Sequence, residues 1–134
     1  MGRKHAREST MKLLYQSEVN KNFTQDDIDI FLDEGKYSDD EKKYIIDAYE
    51  KITNNLNDID KKIETHLKGW KKDRLAKIDL STLRIAIYEI TYRDDIPVEV
   101  SINEALEISK KYSSEESSKF INGVLGSIVR DNNG

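Results

Sequence analysis

The 134-residue chain has no cysteine, one proline and six glycines. Without cysteine it has no disulfide framework, no thiolate metal site and no cysteine nucleophile, which fits a reducing compartment. No apolar run approaches the roughly 18 residues of a membrane span, and the N-terminus lacks the apolar stretch of a secretory signal. A soluble, cytoplasmic protein is expected. Histidine is also scarce: His5 and His66 stand far apart and belong to no ligand cluster or triad pattern. His66 reads as a partly exposed helix residue. Gly123 and Gly126 in NGVLGS lack the Lys-Ser/Thr ending of a phosphate loop and fall inside an apolar helical pattern, which reads as close helix packing. This inventory predicts no metal, no cofactor and no catalysis.

What remains is helical periodicity. A chain of this length makes one domain, residues 1–134, and buries about two-thirds of its unfolded surface. Ala6, Thr10, Leu13, Leu14 and Ser17 recur at helical steps, predicting a helix from about Lys4 to Asn20. Thr24 caps a short helix carrying Ile28, Phe31 and Leu32, and Gly35 ends it. Ser38 with Glu41 forms a capping box before a long run from Tyr44 to Leu67, with Asn54, Asn55 and Asn57 as possible breaks. A short helix is expected over Asp73 to Lys77. Asp79 to Arg93 is apolar around so much of its circumference that it should be central. Asp94 to Pro97 is a loop; Ser101 with Glu104, and Ser113 with Glu116, read as capping boxes opening two more helices. Val98, Val100 and Ile102 alternate as in a strand, but the run is too short to stand as one. The DNNG tail should fray. The fold class is all-α, with about seven helices.

The charge distribution is uneven. The net charge is −4, yet positive charge gathers in Arg3, Lys4, His5 and Arg7, in Lys68, Lys71, Lys72, Arg74 and Lys77, and in Lys110, Lys111 and Lys119. A basic end on an acidic chain suggests contact with a polyanion. Arg3 and Arg7 are four apart, so on a helix both project from one face toward successive phosphates; in a disordered arm they would order on RNA instead. Phe120, next to Lys119, is either a core residue by its spacing or an aromatic on which an unstacked base rests.

RKHARESTMKLLYQ, IDLSTLRIAIYEI and IPVEVSINEALEISKKYSSEESSKFINGVLGSI, in this order and spacing, closely resemble the NusB family of bacterial transcription antitermination factors. The resemblance spans essentially the whole chain and is weakest from Asn20 to about Lys62. It implies two three-helix bundles packed together. It also implies binding of boxA RNA from ribosomal RNA leaders jointly with NusE, a small-subunit ribosomal protein, and action on RNA polymerase with NusA and NusG. Carried onto this sequence, the RNA-binding positions are Arg3, Lys4, His5, Arg7, Lys119 and Phe120. Only two of the first four are arginines, and lysine or histidine cannot copy a guanidinium fork. Glu116 would limit affinity for wrong RNAs by repelling phosphate. The resemblance assigns the NusE side to Tyr15, Asp73 and Asp79, where acids suit a basic partner. Two alternatives stay open: a helical homodimerisation module, and the RNA-targeting domain of a ribosomal RNA cytosine methyltransferase.

Overall fold

In the computed structural model, which describes residues 2–69 and 72–133, the chain forms seven α-helices and one 3-10 turn, with no strand among the described residues. Lys71, counted above in the second basic group, lies outside them. Helices α1 (Arg3–Asn20), α2 (Gln25–Glu34) and α3 (Asp39–Asn54) make one group of three; α5 (Lys77–Tyr92), α6 (Val98–Tyr112) and α7 (Glu115–Asn133) make the other. The two groups meet where α1 and α3 pack on α5, and α4 (Leu56–Thr65) packs on α5 and α7. No helix is long and apolar enough to cross a membrane.

The centre is α5. Every residue from Asp79 to Glu89 is buried, and the core cluster around it draws Leu13 and Leu14 from α1, Ile45 and Ile52 from α3, and Ile121 and Leu125 from α7. Each such side chain contributes about 1.5–3 kcal/mol when fully buried.

Local signals set most of the boundaries. Thr24 Oγ1 accepts the Asp27 N–H at 3.4 Å, and Ser38 and Glu41 exchange reciprocal bonds of 3.2 and 2.8 Å. Gly35 ends α2 in an extended conformation, not the left-handed one a helix-stop glycine usually adopts. It is small because a Cβ there would overlap the Tyr37 ring.

Several expectations need correction. The long run from Tyr44 to Leu67 is two helices, broken at Asn55, whose side-chain amide donates to the Lys51 carbonyl at 2.8 Å. The segment expected as a helix over Asp73 to Lys77 is a 3-10 turn at Lys72–Arg74, and α5 starts at Lys77. Ser101 and Glu104 do not cap, because α6 already begins at Val98; Val98, Val100 and Ile102 belong to that helix. The cap of α7 is Ser114, whose Oγ accepts the Ser117 N–H at 3.0 Å, in place of the expected Ser113 and Glu116. The tail stays helical through Asn133.

Candidate nucleic-acid interface

The N-terminal basic group is split by the fold. Arg7 is 5% exposed. Its Nε and Nη2 donate to Glu89 at 2.6 and 3.2 Å, and Nη1 donates to Glu104 at 3.3 Å. Glu89 also accepts from Ser101 Oγ at 2.7 Å and Tyr44 Oη at 2.5 Å, so one buried carboxylate ties α5 to α1, α3 and α6. Burial opposes the Arg7 charge, but the hydrogen bonds and charge of Glu89 outweigh it and hold its pKa above the ordinary value. Burial, and then Glu89, push the Tyr44 phenol well up. The expectation that Arg7 projects beside Arg3 toward phosphates is therefore corrected: the bidentate partner lies inside, and the guanidinium is used there.

Arg3 is exposed, with its guanidinium 5.1 Å from the centre of the Tyr44 ring and no ion pair among the described residues. Arg93 lies 5.7 Å from the same ring, but two 2.8 Å bonds commit it to Asp95, whose carboxyl it holds down to about 2. The cavity beside them, about 760 Å³, is lined by Arg3, Lys43 and Arg93 but also by Asp40 and Asp47. Lys4 is exposed but paired with Glu107 and, at 3.6 Å, Glu104. His5 is exposed and stacks on Tyr37 at 5.4 Å.

Lys119 and Phe120 stand elsewhere. Lys119 is exposed; Phe120 is half-buried, packed against the core on one side and lining a cleft of about 250 Å³ on the other. Phe120 is thus partly in the core and partly accessible from the cleft. Lys68, His66 and Gly123 line the same cleft. Gly123 is exposed, and among the described residues a Cβ added to it would meet nothing within 4 Å, so the close-packing reading of this glycine is corrected there. Glu116 is exposed in the first turn of α7, one turn before Phe120.

The two basic regions lie at opposite ends of α5. Arg93, just past its C-terminal end, shares the Tyr44 ring with Arg3; Asp79, in its first turn, accepts a 3.0 Å bond from Ser117, one turn before Phe120. At 1.5 Å per residue the separation is on the order of 20 Å. Only an extended ligand reaches both.

Of the positions assigned to a protein partner, Tyr15 is 39% exposed on α1, one turn before Val19 at 49%. Asp73 is exposed in the 3-10 turn. Asp79 is not an open acid, and this too is a correction: it is 7% exposed and joins α5 to α7 through Ser117. Nor does it cap α5, since the N-cap is Ala76.

Other charges are buried as well. Arg84, 1% exposed, donates to Asp60 at 2.9 and 2.7 Å and to Glu18 at 2.7 Å. The signal was available: Arg84 and Glu89 are the two charges inside the apolar LRIAIYEI, where only paired charges are tolerated.

With this geometry in hand, the chain was compared with known proteins. The NusB family model matches residues 4–130. The chain belongs to the NusB family. Transcription antitermination protein NusB of Acetivibrio thermocellus is 46% identical over 130 residues, covering 97% of this chain and 90% of that protein. Among solved structures, T. maritima NusB superposes with a TM-score of 0.87 at 34% identity, covering 98% of this chain and 94% of that one. A structure of antitermination factors NusB and NusE in complex with double-stranded RNA matches with a TM-score of 0.86 at 24% identity, covering 96% of each chain, a likeness of fold. NusB proteins are transcription factors, not enzymes.

Proposed function

We propose that this chain is a non-catalytic RNA-binding adaptor that, with NusE, binds boxA RNA of nascent ribosomal RNA transcripts. It thereby promotes antitermination in the cytoplasm, in an assembly with NusA, NusG and RNA polymerase. Residues 1–134 act as one RNA-binding unit. The observation that carries this reading is the cleft where half-buried Phe120 is flanked by Lys119 and Lys68: an aromatic for a base, with cations for its phosphates. Arg3, with Lys4 and His5 beside it, supplies a second contact about 20 Å away. With an axial rise of about 3.4 Å per nucleotide in a stacked strand and more in an extended one, several nucleotides bridge the two. Arg7 serves the site indirectly, by seating the start of α1 against α5. Glu116 lies near enough to Phe120 to repel misplaced phosphate.

The protein partner is supported by the exposed Tyr15 and Val19 on α1, an amphipathic patch suited to an interface, and by the exposed acid Asp73. A relative in fold taken together with NusE and RNA agrees with such a pairing.

The test is a salt titration of binding to a boxA-containing RNA and a scrambled control, each with and without NusE. Selective binding that NusE tightens, with Arg3→Ala reducing the salt slope by about one and leaving the melting temperature unchanged, is the expected outcome. Equal affinity for both RNAs in the presence of NusE would overturn the reading, and light scattering of the same samples would then show whether the chain self-associates instead.

A further inference from the structure

Among the described residues nothing in the fold requires Gly123 to be glycine. It sits inside the 19-residue α7, and it is not among the residues with a left-handed backbone, as Gly2 and Gly69 are. Among the described residues a Cβ on it would touch nothing within 4 Å, whereas one on Gly35 would strike the Tyr37 ring. Glycine in a helix interior is less stable than alanine. The fold would be better served by a side chain here.

The bare position faces a prepared surface. Phe120, one turn earlier on α7, and Gly123 form one side of the cleft, and Leu67 and Lys68 at the end of α4 form the other. His66 fastens the two sides: its Nδ1 lies 2.8 Å from the Lys62 carbonyl oxygen, and its Nε2 lies 2.5 Å from Asp131 Oδ2 on α7. Two exposed lysines, Lys68 and Lys119, stand at the rim, and among the described residues neither has an ion pair. Asp131 is engaged with His66, and Glu116 lies one turn before Phe120 on α7. Among the described residues, the cleft is thus cationic at its rim and meets the α7 backbone at Gly123.

We propose that Gly123 is kept without a side chain so that one unstacked RNA base lies flat against the α7 backbone beside Phe120, its flanking phosphates held by Lys119 and Lys68. This rests on the RNA-binding reading above and adds the position that determines access to it. A methyl group at residue 123 would stand in the plane the base occupies, while stabilising the helix that carries it.

Stability and affinity are therefore expected to move in opposite directions. In the full chain, Gly123→Ala should raise the melting temperature by about 3 °C. It should weaken binding of a fluorescein-labelled boxA-containing single-stranded RNA about tenfold, and Gly123→Val should weaken it further. The same RNA made with an abasic nucleotide at each position in turn locates the base: one abasic position should weaken wild-type binding, and its effect should vanish in Gly123→Ala, because both changes remove the same contact. If wild type binds the RNA and Gly123→Ala binds within twofold of it, or if no abasic position couples to residue 123, the proposal is overturned and the RNA-binding reading stands. If wild type does not bind the RNA, it is that reading that fails.

Discussion

Arg7 and Glu89 meet in the core across 82 residues of sequence, Nε 2.6 Å from Oε2 and Nη2 3.2 Å from Oε1. The arginine that sequence position offers to RNA is the one that fixes α1 to α5. Removing one partner of a buried pair leaves the other charged and unsolvated, which costs about 3–5 kcal/mol. Arg7→Ala should lose about 3 kcal/mol in urea denaturation, and Arg7→Lys should recover little, since an ammonium cannot make the two-point contact. Unchanged stability with lost RNA binding would return Arg7 to the exposed set.

Arg84 does for α4 what Glu89 does for α1. Its guanidinium is held by Asp60 and Glu18, and Lys72 adds a 3.2 Å contact to Asp60. Arg84→Ala removes the guanidinium that the two carboxylates share, leaving Asp60 with Lys72 and Glu18 partly solvated, and the expected loss is about 3 kcal/mol. Asp60→Asn should cost less, because the amide oxygen still accepts a bond. Calorimetric melting of both variants checks the order.

Gly35 and Tyr37 form a coupled pair. A Cβ at residue 35 overlaps the Tyr37 ring, which itself stacks between Phe31 and His5. Gly35→Ala should destabilise by about 1–2 kcal/mol through this overlap. In the double variant with Tyr37→Ala the penalty of the first change should disappear; simple additivity in the cycle would contradict it.

Acid stability depends on carboxylates that the fold keeps ionised. Burial opposes ionisation of Glu8, but bonds from Tyr112 at 2.6 Å and Lys111 at 2.9 Å outweigh it and hold its pKa below the usual value; Asp47 is lowered in the same way by Tyr88 and Lys51. A folded-state pKa below the unfolded one gives stability that is complete above the ordinary carboxylate range, about 4, and is lost as pH falls through the lower folded value. Glu8→Gln should therefore flatten the decline of the urea midpoint below about pH 4. An acid limb as steep as that of wild type would show that Glu8 contributes nothing to it.

Much of the fold was legible because its determinants are local. Thr24, Ser38 and Glu41 act within four residues of themselves, so their caps follow from spacing alone. Ser101 and Glu104 carry the same capping signature and do not cap, because α6 begins at Val98 and places them inside the helix, where Ser101 bonds Glu89 and Glu104 bonds Arg7. The three asparagines near residue 55 signal a break, and the structure places it at Asn55. Of the proposed cleft, Lys119 and Phe120 are legible from their adjacency and the family pattern. The opposing wall of Lys68 and His66 is not, since more than fifty residues separate it in sequence.

By itself the sequence determined that the protein is helical, where most helices begin, that α5 is central, and that positive charge concentrates at a few places. These follow from periodicity, caps and composition, which act over one or two turns. Only the tertiary structure decided which cations remain available. It turned Arg7 and Arg84 inward to carboxylates on distant helices, left Arg3 and Lys119 in solvent, and set the two basic regions at opposite ends of one helix. A charge has the same one-letter code whether it is buried or exposed; its partner, brought to it by folding, fixes what it does.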